Sequence, residues 1–275
     1  MVGQESIINR IKDLHKENRL PKFILLEGED GSGKKTLCKE ISKFTGYDIV
    51  FFDNKIDDIR ECIELAYTQK SPIIYVLKNS DSMSLAAKNS ILKLVEEPPV
   101  NAYIIMLIEN VDNTLKTILS RAFLIKMEPY TANQLKEYIV NKQTALTDEE
   151  QDRVINICNT PGMINKLLET DTLELLDFCD NIINNLHKVS LSNALKISKK
   201  LKLTESGEGW DINLFLNCLS YSNRINANSN NIKRNHMFGE FIAVAKHNLS
   251  NASINKLYIL DGLIMDGWLI WNCGN

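Results

Sequence analysis

The most informative segment of the sequence is Gly28-Glu29-Asp30-Gly31-Ser32-Gly33-Lys34-Lys35-Thr36. It follows an apolar run, Phe23 to Glu27, that predicts a β-strand, and it precedes a pattern that predicts a helix from Lys34 to Phe44. Glycines let the backbone curl so that successive N–H groups point at one phosphate, and the start of the helix adds partial positive charge. The order of strand, loop and helix therefore predicts a phosphate-binding loop (P-loop). The residues predicted to hold the phosphates are Gly28, Gly31, Ser32, Gly33, Lys34, Lys35 and Thr36.

The residues that usually bind magnesium are missing in two places. The P-loop lysine is followed by Lys35 instead of a Ser or Thr hydroxyl. Thr36 lies one step further along the helix, a turn of about 100°, so its hydroxyl should face elsewhere. A second predicted strand, Ile73 to Leu77, runs into Lys78 and Asn79, where an Asp for magnesium and a Glu for the attacking water are expected. We predict a P-loop that binds ATP or ADP without hydrolysing it, and that does not hold Mg²⁺ by the usual ligands.

Short apolar runs alternate with amphipathic stretches up to about residue 128, which is typical of a parallel sheet covered by helices. After Pro129-Tyr130-Thr131 the pattern is helical, and Thr131 with Gln134 predicts a capping box. We predict an α/β domain at 1–128, a small helical domain at 129–172 and an all-helical domain at 173–275. The predicted strands are Phe23–Glu27, Ile49–Phe52, Ile73–Leu77, Tyr103–Ile108 and Phe123–Met127.

Composition excludes several classes of protein. The 275 residues carry a formal net charge of -3, which argues against coating DNA or an anionic membrane by bulk charge. The six cysteines are never closer than 21 residues apart, so they predict buried thiols in a reducing compartment and no zinc site. The N-terminus lacks a signal-peptide pattern and the apolar runs are short, so we expect a cytoplasmic protein outside the membrane.

The segment from Ser222 to Asn235 is rich in Asn and Ser and predicts an exposed connection. It contains three basic residues, so a nucleic-acid contact is the alternative to a solvated loop.

Four segments, in their order, resemble the clamp-loader subunits of the AAA+ family, most of all the bacterial DNA polymerase III delta-prime subunit and next the gamma/tau subunits. The resemblance covers about residues 1 to 170. It implies an AAA+ sheet domain at 1–128, a helical lid at 129–172 and a helical collar for oligomerisation at 173–275, with Val2 and Gly3 contributing to nucleotide binding. The segments are Val2-Gly3-Gln4-Glu5, the P-loop, Ile91 to Pro99 (ILKLVEEPP) and Thr117-Ile118-Leu119-Ser120-Arg121.

The family's Ser-Arg-Cys motif is Ser120-Arg121-Ala122 in this chain. The resemblance implies that Arg121, with Ser120, acts in trans as an arginine finger on the ATP of a neighbouring subunit, because a guanidinium stays charged and can fork onto phosphate oxygens. The alternative is a surface arginine paired with a carboxylate. Taken with the missing magnesium ligands, the pattern resembles a delta-prime stator. Its implied partners are the other subunits of a hetero-pentameric ring, a sliding clamp, and primed DNA through the assembly.

The alternative function is a catalytically active AAA+ ATPase, gamma-like or recombination-associated, in which Thr36 and Asp81 restore the metal site. Otherwise Asp81 is expected to be a turn residue or a helix N-cap. In this family sensor 1 is a polar residue at the end of the fourth strand, and the resemblance places it near Glu109 and Asn110. The sensor 2 arginine that the family carries on its lid helix and the four-cysteine zinc module are both missing from this sequence. Lys88 and Lys93 are candidate DNA contacts or simply solvated lysines.

Overall fold

A computed structural model describes residues 2–142, 146–169, 172–201, 210–249 and 255–273. The chain forms two compact units, an N-terminal unit that ends at Tyr138 and a C-terminal unit that begins at Ile139. The three-part division at 128 and 172 stays a prediction. Among the described helices, none combines the length and apolar character needed to cross a bilayer.

The N-terminal unit contains a five-stranded, all-parallel sheet with the order β2-β3-β4-β1-β5. All five predicted strands are confirmed, with ends that move by at most one residue. The three central strands are almost entirely buried, and the two edge strands are partly buried. Glu27 pairs with Ile108 and Leu77 with Met106, so the carboxyl ends of the three central strands meet at one edge. The strands are β1 (Phe23–Glu27), β2 (Asp48–Phe52), β3 (Ile73–Leu77), β4 (Ala102–Ile108) and β5 (Phe123–Lys126).

The helices that begin before residue 139 include two with an end that is set by a local sequence signal. The helix α4 ends at Glu96 because Pro98 and Pro99 cannot continue it. The predicted capping box is confirmed, since the Gln134 N–H donates to Thr131 Oγ1 (3.3 Å) and the Thr131 N–H donates to Gln134 Oε1 (2.8 Å). These helices are α1 (Glu5–Lys16), α2 (Lys34–Thr45), α3 (Ile56–Thr68), α4 (Leu85–Glu96), α5 (Lys116–Leu119) and α6 (Ala132–Asn141).

Both faces of the sheet are covered. Leu25 faces a core formed with α3, α4 and α5, and its neighbour Leu26 faces a second core formed with α1 and α2. Both side chains are almost fully buried, which stabilises each by roughly 1.5–3 kcal/mol relative to exposure. Strands buried on two faces are apolar at every position, which explains why short apolar runs predict them. The two cores hold the strand ends rigidly, and the loops that follow those ends carry the candidate site.

Among its described residues, the C-terminal unit contains helices joined by short connections and no strand. The thiols of Cys38, Cys62, Cys158, Cys179 and Cys218 are buried and free in the two units, as predicted, whereas the side chain of Cys273 lies outside the described residues. The helices of this unit are α7 (Asp148–Ile157), α8 (Pro161–Glu169), α9 (Thr172–Asn185), α10 (Leu191–Leu201), α11 (Ile212–Ile225), α12 (Ile232–Leu249) and α13 (Lys256–Cys273).

The expectation of an exposed connection over Ser222–Asn235 is wrong at both ends. α11 continues to Ile225 and α12 starts at Ile232, so the connection is only residues 226–231. Asn223 and Asn235 are buried, and each amide Nδ2 donates to the backbone oxygen of the other at 2.8 Å. The Asn223 carbonyl is in the last turn of α11, where the helix supplies no partner of its own. Asparagine usually favours loops, but here its amide groups join two helices.

Candidate functional site

The P-loop has the backbone that its glycines predict. Gly28 follows β1 directly, and its N–H donates to Ile108 O at the end of β4 (3.1 Å). Gly31 has φ 76° and Gly33, the N-cap of α2, has φ 92°. Both values lie in the left-handed region, which glycine adopts at no steric cost. The loop therefore turns sharply from the strand into the N-terminus of the helix.

Gly28 and Ser32 form the inner side of this turn. A Cβ on Gly28 would lie 2.6 Å from Met127 Cγ and 2.8 Å from Ser32 Oγ, so only glycine fits. Ser32 is 4% exposed, and its hydroxyl has no hydrogen-bond partner among the residues that the structure describes. A buried hydroxyl without a partner is costly, and it fits a bound oxygen-rich group such as a phosphate.

Lys34 opens α2 and folds back over the loop. Its Nζ donates to Gly28 O and to Glu29 O, the latter at 2.9 Å. Burial lowers the pKa of the Lys34 ammonium, while nearby carboxylates, first that of Glu109 and then those of Asp30, Asp81 and Glu29, raise it. The Lys34 ammonium is thus held by two carbonyl oxygens of the P-loop, and carboxylates lie near it.

The first turn of α2 also presents Lys35 and Thr36, and both are exposed. Lys35 contributes to the lowered pKa of Asp53, which follows the end of β2. A second ammonium group, that of Lys35, therefore lies at the position where a magnesium-binding hydroxyl is expected. Its charge also acts on Asp53 at the end of β2.

The end of β3 also carries a positive charge. Lys78 Nζ lies 2.7 Å from Asp53 Oδ1, and this hydrogen bond is the main reason that the pKa of Asp53 is lowered. Asn79 has φ 48°, a conformation in which Asn is tolerated better than most residues. The end of β3 therefore carries Lys78 and Asn79 where an acidic pair is expected, and Lys78 forms an ion pair with Asp53.

Asp81 lies in a 3-10 turn, Ser80–Ser82, as expected for a turn residue. Its Oδ2 accepts from the Glu109 N–H after β4 at 3.0 Å. Lys88 donates to Asp81 O and to Asn113 O, both at 2.8 Å, and burial lowers its pKa. Lys88 is thus committed to two backbone carbonyls and joins the loops after β3 and β4, whereas Lys93 is exposed. Sequence reasoning missed this link, because no local pattern signals a side chain that reaches two distant carbonyls.

The predicted sensor 1 region has its own local contacts. Asn110 Oδ1 accepts from the Asp112 N–H at 2.9 Å and so caps the short turn after β4. Glu27, which sequence reasoning did not single out, lies beside it: its Oε1 accepts from the Val111 N–H at 3.1 Å and its Oε2 is 2.9 Å from Lys126 Nζ. An acid that ends an apolar strand beside a P-loop is the signal that could have identified Glu27.

The N-terminal segment is tied to the P-loop through Tyr130. Gln4 is fully buried, and its side chain exchanges hydrogen bonds with the backbone of Glu128 (2.8 and 3.0 Å). A Cβ on Gly3 would lie 3.1 Å from the Tyr130 ring, and the Tyr130 hydroxyl donates to Ser32 O at 2.8 Å. The structure therefore brings Gly3 and the P-loop, which lie far apart in sequence, to the same tyrosine. Val2 is the next residue and is half-buried.

Arg121 belongs to a separate cluster at the ends of α4 and α5. Its Nη2 lies 2.7 Å from Glu96 Oε1, and its Nη1 donates to Thr117 O (2.7 Å) and Ser120 Oγ (3.3 Å). The side chain is 37% exposed. The alternative of a surface arginine paired with a carboxylate is therefore realised within the chain, and the guanidinium is still accessible to solvent.

Among the described residues no group of three or more His, Cys, Asp or Glu side chains could hold a metal ion. The acids around Lys34 act on its charge without forming a ligand set.

The sheet order and the P-loop define an AAA+-type α/β fold. The fold is similar to that of the Thermotoga maritima RuvB Holliday junction branch migration motor, with a TM-score of 0.53 at 14% identity over 78% of this chain and 87% of that one. A family model described as DNA polymerase III, delta subunit, matches residues 48–131. The chain is 26% identical over 220 residues to the DNA polymerase III subunit gamma of Buchnera aphidicola subsp. Acyrthosiphon pisum, and 23% identical over 300 residues to subunit gamma/tau of Mycoplasma genitalium. The chain thus resembles the clamp-loader subunits of DNA polymerase III.

These alignments cover 67% and 94% of this chain but only 59% and 48% of the two relatives. The chain thus matches about half the length of the relatives.

Proposed function

We propose that the chain is a delta-prime-like subunit of a DNA polymerase III clamp loader, a stator that supplies Arg121 to a neighbouring ATPase subunit during sliding-clamp loading in DNA replication. Its partners are the other subunits of a hetero-pentameric ring and the sliding clamp, with primed DNA reached through the assembly. Resemblance to the family and similarity to curated polymerase III subunits support the proposal.

The observation that carries the stator role is the positive charge at both positions where magnesium ligands are expected. Lys35 follows the P-loop lysine, and Lys78 ends β3 and pairs with Asp53 at 2.7 Å. Two ammonium groups repel a divalent cation, and without the cation the β and γ phosphates lose the charge neutralisation that hydrolysis needs. A single tolerant substitution would not explain changes at two separate strand ends.

The P-loop retains the features that fit a nucleotide phosphate. The glycine turn, the buried Ser32 hydroxyl and Lys34 would hold ATP or ADP, with Gly3 and Val2 on the other side of Tyr130. A bound nucleotide would supply negative charge that stabilises the loop and its lysine. We propose that nucleotide binding here is structural.

Arg121 suits a role in trans. Its partners, Glu96, Thr117 and Ser120, come from the ends of α4 and α5. A guanidinium with N–H groups on its exposed side can contribute to a phosphoryl-transfer site on another subunit.

The test uses the ring reconstituted from this chain and the ATPase subunits that copurify with it. Arg121→Ala should lower clamp- and DNA-stimulated ATP hydrolysis by about 10³-fold at the site it serves. Lys34→Ala removes one cation from this chain's own P-loop, and it should lower the rate much less than Arg121→Ala does, because this P-loop is proposed to bind nucleotide without hydrolysing it. Hydrolysis that is the same for Arg121→Ala and wild type would refute the finger.

An active gamma-like ATPase is the second candidate. It is favoured by the names of the curated relatives and by Asp81, whose charge acts on Lys34. The purified chain alone distinguishes the two functions: a turnover above about 0.1 s⁻¹ that is lost in Asp81→Asn would support the active enzyme and contradict the stator.

A further inference from the structure

We propose that Glu96 is the positioning residue for Arg121, which it holds in the orientation that reaches a neighbouring subunit's nucleotide. The inference rests on the proposed function, because it assigns a second residue to the same trans-acting group. The observation behind it is the 2.7 Å contact between Arg121 Nη2 and Glu96 Oε1.

The two residues stand on rigid supports. Glu96 is the last residue of α4, and Val95 beside it is buried. Arg121 follows the short helix α5, whose Ile118 is fully buried in the same core cluster as Val95. The backbones of the acid and the arginine therefore have a fixed relation, so the contact between them is a property of the core rather than of two mobile surface chains.

The contacts hold one side of the guanidinium and leave the other side available. Nη2 contacts Glu96, and Nη1 donates to Thr117 O at 2.7 Å. Nη1 also donates to Ser120 Oγ at 3.3 Å, which uses its second N–H, whereas Nη2 keeps a second N–H that can face a phosphate oxygen. A guanidinium already fixed on one side loses less rotamer freedom when it engages a phosphate.

The ion pair between Glu96 and Arg121 is weak enough for Arg121 to engage a phosphate group. Its carboxylate stands at the C-terminus of α4, where the helix dipole disfavours an acid, and its side chain is 43% exposed. A pair that is this exposed is weak, and the several negative charges of a triphosphate attract Arg121 more strongly than one carboxylate does. Arg121 can thus meet a phosphate while Glu96 keeps its plane in place.

The chain offers a matched control in Glu97, the next residue, which is exposed and also acidic. In the reconstituted ring, Glu96→Ala should lower kcat for ATP about fivefold, and Glu96→Gln, which keeps an acceptor oxygen, should lower it about twofold. KM for ATP should not change, because the neighbour's own P-loop binds the nucleotide. Glu97→Ala and Glu97→Gln should match wild type.

Affinity for ADP–aluminium fluoride gives a readout that a merely structural role would leave unchanged. It should weaken about fivefold in Glu96→Ala, whereas affinity for ADP should stay at the wild-type value. Ring assembly by size-exclusion chromatography and the urea unfolding midpoint of each variant are measured alongside. If Glu96→Ala does not assemble, Glu96→Gln alone decides the test by its kcat relative to Glu97→Gln.

The outcomes separate the two proposals. If Arg121→Ala has no effect, the proposed function fails. If Arg121→Ala is inactive but the Glu96 variants equal the Glu97 variants, or hydrolyse faster than wild type, the positioning role of Glu96 is overturned and the finger stands.

Discussion

Replacing Gly28 by alanine tests the P-loop turn directly. The added Cβ would lie 2.6 Å from Met127 Cγ and 2.8 Å from Met127 Cβ, distances that real Cβ atoms do not show. Met127 cannot move away freely, because its backbone N–H donates to Glu27 O at 2.7 Å and its side chain is buried. Overpacking of this kind costs about 1–3 kcal/mol. With a urea dependence of about 2 kcal/mol per M, the unfolding midpoint of the N-terminal unit should fall by about 1 M.

The assay must follow the N-terminal unit, since Trp210, Trp268 and Trp271 all lie in the other unit. Pulse alkylation of Cys38 serves this purpose, because the thiol is fully buried in α2 and reacts only when the unit unfolds. Binding of a fluorescent ADP analogue is measured in parallel. Gly28→Ala should bind it at least tenfold more weakly than wild type, because the clash also displaces Ser32.

Gly46→Ala is the matched control at the other end of α2. Its Cβ would meet nothing within 4 Å, but its φ of 72° makes alanine cost about 1–2 kcal/mol. We expect a similar loss of stability with wild-type nucleotide binding. If Gly28→Ala unfolds at the wild-type urea concentration, or binds the analogue as well as Gly46→Ala does, the steric reasoning is refuted.

Three further predictions concern single positions. Gly262→Ala should stabilise the C-terminal unit by about 1 kcal/mol, because a Cβ at this position of α13 would meet nothing within 4 Å. Gly267→Ala should destabilise the unit, because its Cβ would lie 2.5 Å from Phe238. Urea unfolding followed by tryptophan fluorescence compares the two variants, and equal unfolding midpoints would contradict both predictions. Asn235→Ala should cost about 1–3 kcal/mol in the same assay, because it leaves a buried carbonyl unpaired; a neutral result would mean that the reciprocal amide pair is dispensable. Burial raises the pKa of the Cys38 thiol to about 12, so iodoacetamide at pH 8.5 should leave Cys38 unmodified in the folded protein and should modify it in urea; rapid labelling at pH 8.5 in the folded protein would be inconsistent with that burial.

Much of the fold could be predicted from the chain because the signals are local. The three central strands are short apolar runs buried on both faces, the edge strands β2 and β5 are partly buried, and the Thr131–Gln134 capping box lies in neighbouring residues. The P-loop is equally local, since Gly31 and Gly33 supply the left-handed turns within a few residues of the lysine. Composition misled at Ser222–Asn235, where asparagines that usually favour loops join two helices.

The contacts of the site could not be predicted in the same way. Lys78 meets Asp53 across the β2–β3 pair, and Tyr130 reaches Ser32 from 98 positions away. Long side chains have many rotamers, and only the packed backbone decides which distant acceptor lies within reach.

Neighbouring residues were enough to predict the five strands of the sheet and a P-loop without its usual magnesium ligands, and the resemblance carried by residues 117–121 added a candidate finger at Arg121. The contact of Glu96 with Arg121 at 2.7 Å and the link that Lys88 makes between two loops are set by the folded chain. The physical reason is that parallel strands bring together residues from separate crossover connections, and a salt bridge or hydrogen bond forms only where the buried core fixes both ends within about 3 Å.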